Sequence, residues 1–375
     1  MILPLIALVS LASGLFPAPQ QSDGQNTLVQ GSQALQRGEL DAAERAFRQA
    51  LSLDPDSVEI LNDLAITLSR EGKLADAVPL YLRALKIRPG DPSSTRNLAI
   101  AYFKQQNYAE ALRLLESLAG EKSADFQVLD LAGLCLFGLD RYPEAARYLE
   151  RATRVQPSDL PALYILGQAY LRAGDYKAVT RAFRRILAIN PESAEAHVMM
   201  GTAYDKTFQD PKALEEYETA ERVNPDFPGV HSGLGLLYWK RDQVDRAEAE
   251  FREELKRFPS DAISNCLLGQ IAIRRDRVEE SVPLFQAALA VNPKYKEALL
   301  GFGKAEIKLG HPADALDPLR NAIRIDPDYI EAHFQLANAL ARLGRTEEAD
   351  KERSISVAIQ AKQEADYARK LKDHN

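Results

Sequence analysis

The sequence predicts an all-α solenoid of about ten helix-turn-helix repeats, each 34 residues long. Three observations predict it: prolines at a 34-residue spacing, small residues at two fixed slots of that period, and apolar residues at helical spacing within it. Prolines stand at Pro55, Pro89, Pro157, Pro191, Pro225, Pro259, Pro293 and Pro327, and the one missing slot holds Ser123. With this proline as position 32, units start at residues 24, 58, 92, 126, 160, 194, 228, 262, 296 and 330, and cover 24–363.

Ahead of the first unit, residues 1–23 read as an export leader and short linker. Ile2 to Phe16 form an apolar run, followed by the helix-breaking stretch Pro17-Ala18-Pro19. The run carries no Lys or Arg before it, and an uncleaved anchor or a cytoplasmic chain are the alternatives. Exported, periplasmic or secreted is the expected location. Beyond the leader no apolar stretch is long enough for a span, so no stable membrane insertion of the mature chain is expected.

Within a unit, Leu61, Leu64, Ala65 and Leu68 mark a first helix, and Ala77, Leu80, Tyr81, Ala84 and Leu85 a second. Glycine or a polar residue at positions 15–16, as at Gly72, Gly174, Gly310 and Gly344, marks the turn. Pro143, Pro211 and Pro312 are expected in the first turn of second helices, with Asp210 as a cap, where a missing N–H costs nothing. Pro79, Pro283 and Pro318 are expected one turn deeper, each removing a hydrogen bond. Position 8 is Gly or Ala throughout, and position 20 is Ala except at Val179 and Ser281. These slots fit a helix crossing that larger side chains would force apart at a cost of roughly 1–3 kcal/mol. The third unit departs most: Gly120 and Ser123 predict a shortened second helix and a candidate hinge. Residues 364–375 form a charged helical cap, as the end of a stacked array requires.

Composition excludes several functions. The chain has 375 residues and a formal charge of −7, without the basic surplus that phosphate binding needs, so no nucleic-acid partner is expected. Two cysteines, Cys135 and Cys266, sit four units apart and read as free thiols. No Walker A, HExxH or GxSxG stretch occurs, and Gly233-Leu234-Gly235 and Gly301-Phe302-Gly303 fall inside helical units rather than strand-to-helix turns. His197, His231 and His333 share position 4 and read as packing residues in separate units. No catalytic residue, cofactor or metal is expected, and the chain is read as no enzyme.

The pattern resembles the tetratricopeptide repeat (TPR) family. The best-matching units hold Leu166-Gly167, Tyr170, Phe183 and Pro191, then Gly201, Tyr204, Ala213, Tyr217 and Pro225, then Leu234-Gly235, Tyr238, Ala247, Phe251 and Pro259. The resemblance implies a right-handed superhelix whose first helices line a concave groove through positions 2, 5, 9 and 12. Candidate groove contacts on that basis are Asn62, Arg96, Phe103, Asp130, Phe137, Tyr164, Gln168, Asp205, Trp239, Gln270, Lys304 and Asn338. The basic column at position 13, from Arg70 to Arg342, reads as solvated or paired with nearby acids. The family's chaperone-binding carboxylate clamp needs Lys at 5 with Asn at 9, and no unit has both. The expected function is a protein-interaction scaffold that holds a protein or peptide segment in its groove. The alternative is a structural assembly subunit of a bacterial envelope complex such as a pilus, secretion or polysaccharide-export machine.

Overall fold

A computed structural model of the chain describes residues 23–120 and 125–373. The expected leader therefore lies outside the described residues, save its last residue, and so does most of the candidate hinge after Gly120. Among the described residues there are twenty α-helices and no strand, as the 34-residue period predicts. They divide into two compact units, one ending at Ala173 and the other starting at Gly174.

The first unit holds α1 (Asp23–Gln36) and α2 (Leu40–Leu53), α3 (Val58–Arg70) and α4 (Leu74–Ile87), α5 (Pro92–Lys104) and α6 (Tyr108–Leu118), α7 (Phe126–Gly138) and α8 (Tyr142–Val155), and α9 (Leu160–Ala173). The second holds α10 (Tyr176–Ile189), α11 (Ala194–Lys206) and α12 (Asp210–Val223), α13 (Val230–Lys240) and α14 (Val244–Arg257), α15 (Ala262–Arg274) and α16 (Val278–Val291), α17 (Lys296–Leu309) and α18 (Leu316–Ile325), and α19 (Ile330–Arg342) and α20 (Thr346–Asp373). Within each unit every helix packs on the next, and each first helix also touches the first helix of the following pair. The first helices thus form a continuous layer in each unit, which is where a groove has to lie.

The crossing inside a pair follows from size. Residues at position 20, from Ala43 to Ala349, are all buried. Position 24 supplies the bulk: Phe47, Leu149, Phe251, Phe285 and Leu319 are fully buried. Each lies against the position-8 glycine of its own pair, so that a Cβ on Gly31, Gly133 or Gly235 would come within 2.6 Å of Phe47, Leu149 or Phe251. The glycine pairs at 233/235 and 301/303 have the same cause. Gly233 and Gly301, at position 6, meet the ring of the preceding pair, Tyr217 and Phe285. Their role is close packing of helices, consistent with their place inside helical units.

Turns and caps repeat too. Position 15 has positive φ in all ten pairs, at five glycines and also at Gln106, Asp140, Phe208, Asp242 and Asp276. The next N–H reaches back five residues, as from Lys73 to Leu68 O at 2.8 Å and from Arg141 to Leu136 O at 2.9 Å. This six-residue closure satisfies a free helix-end carbonyl. Phe208 departs from the expectation of glycine or a polar residue, for it is a bulky side chain in the left-handed region and is 90% exposed. Position 34 caps first helices: Ser57, Asp91, Asp125, Asp159, Ser193 and Asp261 each accept a backbone N–H, typically worth about 1 kcal/mol. In α13, where Gly229 offers no side chain, the buried Glu254 of α14 accepts Gly229 N–H at 2.9 Å and Ser232 N–H at 3.1 Å.

Three proline and cap expectations change. Asp210 is the first residue of α12 and makes no cap bond. Pro312 precedes α18, which starts four residues later in its repeat than α2 or α4 do in theirs. Pro318 consequently lies in a first turn, where the missing N–H costs nothing. The third pair does have a short second helix: α6 has 11 residues against 14 in α4, and Arg151 holds its end by donating to Ala119 O and Gly120 O at 3.0 and 3.2 Å.

Candidate functional site

In the second unit a cavity of about 700 Å³ opens on the layer of first helices α13, α15, α17 and α19. Four of the candidate groove residues line it together: Trp239 from α13, Gln270 from α15, Lys304 from α17 and Asn338 from α19. They share a wall because positions 9 and 12 of one repeat and position 9 of the next stand on the same face when first helices stack. Ile273, Leu300, Ile307 and Tyr329 add apolar surface, and Gln335 a further amide. Glu297, Lys304, Lys308 and Arg342 supply the charge.

The polar groups are held by neighbouring pairs. Lys304 pairs with Glu331 at 2.9 Å, and Gln335 donates to the same carboxylate at 2.9 Å. Burial raises the Glu331 carboxyl, but these two donors outweigh it and hold the group below its ordinary range. Arg342 donates to Ile307 O at 2.6 Å. Lys308 lies 3.8 Å from Asp276, a weak, exposed pair. The Arg274 guanidinium sits 5.8 Å from the Trp239 ring centroid and is itself fixed by Asp242 at 2.7 Å. From Lys240 to Arg342 the position-13 column is thus paired, each cation reaching back to the preceding repeat.

Other candidates lie elsewhere. Asp205 is buried and paired with Lys240, and does not line the cavity. In the first unit Asn62 is buried and donates to Ser94 Oγ at 2.7 Å, so it ties α3 to α5. Arg96 pairs with Asp125 at 2.9 Å. Phe103 and Phe137 pack on Tyr108 and Tyr142 with ring centroids 5.5 and 5.3 Å apart, and both are half-buried. Tyr164 and Gln168 of α9 are half-buried. Asp130 is half-buried, and burial, with Asp159 nearby, pushes its carboxyl up to about 6. Asp63, beside Glu59, is pushed up to about 6 in the same way.

Sequence reasoning missed Leu300, Gly301, Lys308, Tyr329, Gln335 and Arg342. They occupy positions 5, 6, 13 and 34; the available signal was position 5 for Leu300, one of the groove positions, and the others stand at positions outside that set. The position-4 histidines make one contact three times: Nδ1 of His197, His231 and His333 lies 2.7, 2.8 and 2.6 Å from Glu216, Glu250 and Glu352 on the second helix of the same pair. Both cysteines are free and buried, and burial pushes their thiols up to about 12, far from nucleophile chemistry. Among the described residues no helix is long and apolar enough to cross a membrane.

Tetratricopeptide family models match the chain. The tetratricopeptide repeat model matches residues 28–92 and 131–194, and a second TPR repeat model matches 209–242 and 303–344. A model for subunit 3 of the anaphase-promoting complex, or cyclosome, matches 70–152. No curated protein sequence matches the chain. Among solved structures the chain is similar to YrrB, described as a TPR protein with an unusual peptide-binding site, at 21% identity over 54% of this chain and 100% of that one, with a TM-score of 0.46. It is similar to a tetratricopeptide repeat protein from Parabacteroides merdae at 18% identity over 63% and 94% of the two chains, with a TM-score of 0.45. It is also similar to yeast Tom70 at 14% identity over 93% and 96%, with a TM-score of 0.40. With tetratricopeptide models covering more than half of its residues, on helix pairs set 34 residues apart, the chain belongs to the tetratricopeptide repeat family.

Proposed function

We propose that this chain is a non-enzymatic interaction scaffold that holds an extended segment of a partner protein in the cavity of its second unit. The observation that carries the reading is the cavity itself: about 700 Å³, walled by Trp239 and aliphatic side chains and rimmed by amides and charges. Pockets of this size and make-up suit a few peptide side chains, and a preformed groove spares the ordering cost on its own side. Of the cations that line it, Lys304 and Lys308 are paired with Glu331 and Asp276, whereas Arg342 bonds a neutral carbonyl and keeps its charge for an anion. The segment is therefore read as a large apolar side chain flanked by negative charge. Trp239 is the only tryptophan, so its fluorescence reports the cavity directly. Titration with acidic, neutral and basic peptides that each carry one aromatic residue should give a saturable signal that is strongest for the acidic set and weakens with salt. No saturable change with any peptide would sink the reading.

A second reading, a structural subunit of an assembly, is favoured by the far end of the second unit. Position 28 is at least half-buried in every other repeat, yet its last representative, Val357 on α20, is 62% exposed. Ser354, Ala358 and Ala361 flank it around a shallow depression. Val357→Lys would abolish end-on assembly and leave the cavity unaffected, whereas Trp239→Ala would do the reverse. Export through the leader belongs to the same proposal, and fractionation of the native host with detection of the mature N-terminus tests it.

A further inference from the structure

The turn between α17 and α18 breaks the repeat in three ways at once. Position 11 is alanine, leucine or tyrosine in every other repeat, but here it is Glu306, only 8% exposed. Positions 16 and 19 hold an Arg–Glu pair in three repeats, such as Arg141–Glu144 at 2.6 Å, but here they are His311 and Asp314. The late start of α18 leaves both on a non-helical turn, after the left-handed Gly310. There, one ligand atom from each of Glu306, His311 and Asp314 lies within 4.8 Å of the other two.

The burial of Glu306 sets this cluster apart from an ordinary acidic surface. Three other acidic residues are buried among the described residues, as is the side chain of Glu71, which pairs with Lys73 at 2.9 Å, and each is matched. Asp205 has Lys240; Glu248 has Arg252, Arg275 and Arg277; Glu254 accepts two backbone N–H groups. Glu306 pairs with no Lys or Arg among the described residues. Its partner is His311 Nδ1 at 3.1 Å, and its other neighbour is a second carboxylate. A buried charge left this way is expensive unless a cation completes it.

We infer that Glu306, His311 and Asp314 bind a divalent transition cation, with Zn²⁺ the best chemical fit. One imidazole and two carboxylates are a common hard-to-borderline donor set, and three protein ligands leave a fourth position for water. Tetrahedral donors stand roughly 3.4 Å apart around such an ion. The His311 side chain, 58% exposed, and the exposed Asp314 are free to close that gap on the turn, while Glu306 stays anchored in α17. On binding, Glu306 and His311 exchange their mutual hydrogen bond for bonds to the ion; the ligating ring nitrogen carries no proton, and the other nitrogen of the neutral imidazole keeps one. The ion would tie the end of α17 to the start of α18. The expectation of no metal site was drawn from the cysteines, the missing HExxH stretch and the position-4 histidines, none of which this cluster involves.

The test uses the full chain, stripped with a chelator and titrated with Zn²⁺ by calorimetry, with thermal melting in parallel. One ion per chain and a raised melting temperature are expected. Asp314→Asn, at an exposed position, should weaken uptake at least tenfold while the metal-free melting temperature stays as in the parent chain, and His311→Asn should weaken uptake as much while also lowering that temperature, because it removes the partner of Glu306. Uptake unchanged in both variants, or no saturable uptake by the parent chain, would overturn the assignment. In the latter case the contact with His311 alone would compensate Glu306.

Discussion

The two units are built on the same period, yet they spend their groove positions differently. In the first, the residues expected to meet a ligand largely meet each other: Asn62 bonds Ser94, Arg96 pairs with Asp125, and Phe103 and Phe137 pack on tyrosines. In the second, Trp239, Gln270, Lys304 and Asn338 face a common cavity. The difference teaches that small and large slots at 8, 20 and 24 make the scaffold, while departures at other positions make the site.

The largest expected effect tests the shared part of that comparison. Phe251→Ala removes a fully buried ring that fills the space over Gly235. It should cost about 3–5 kcal/mol, read from urea unfolding, and Phe47→Ala in the first unit should cost about as much. A loss below about 1 kcal/mol at either site would mean that the slot does not hold the pair together.

Binding separates the units next. Trp239→Ala should weaken peptide binding by roughly 30-fold, as an aromatic anchor does, with calorimetry as the readout. Phe103→Ala should leave it within about twofold. Equal losses would erase the distinction between the two grooves.

A smaller effect concerns the acids of the first unit. The folded carboxyls of Asp63 and Asp130 are raised to about 6 from 3.8 by burial and a neighbouring acid. Between those values the native state holds more protons than the unfolded chain, so this contribution to stability falls as pH rises. The cost is absent below about pH 4 and full above about pH 6. Asp63→Asn or Asp130→Asn should therefore stabilise the chain by about 1 kcal/mol each at pH 7, after allowing for solvent screening, and by nothing at pH 4. Melting curves at the two pH values decide it.

The smallest effect lies in a turn. Phe208 holds a left-handed backbone that five other repeats give to glycine. Phe208→Gly should raise stability by about 0.5–1 kcal/mol, whereas Gly174→Phe should lower it.

Much of the fold was legible because the period is written into side-chain size. The glycines at 31, 133, 235, 269 and 303 each sit under a large residue sixteen positions on, a relation visible in the chain before any coordinate. The site was legible only in part. Position counting found Trp239 and Lys304, but it also chose Asn62 and Asp205, which are consumed by Ser94 and Lys240. It passed over Arg342 and Gln335, whose positions 13 and 6 face the cavity only in this stretch.

By itself, then, the sequence determined that the chain is α-helical, paired and periodic, because helix propensity, turn geometry and the bulk facing each glycine act over at most a couple of dozen residues. Tertiary structure decided which polar side chains are used up and which stay available. Those choices depend on partners about one repeat away, such as Lys304 with Glu331 or Arg342 with Ile307 O, and on a helix α18 that starts late and brings Glu306, His311 and Asp314 together. The 34-residue pattern of small and large side chains does not encode them, because each depends on which polar residue the neighbouring repeat happens to present.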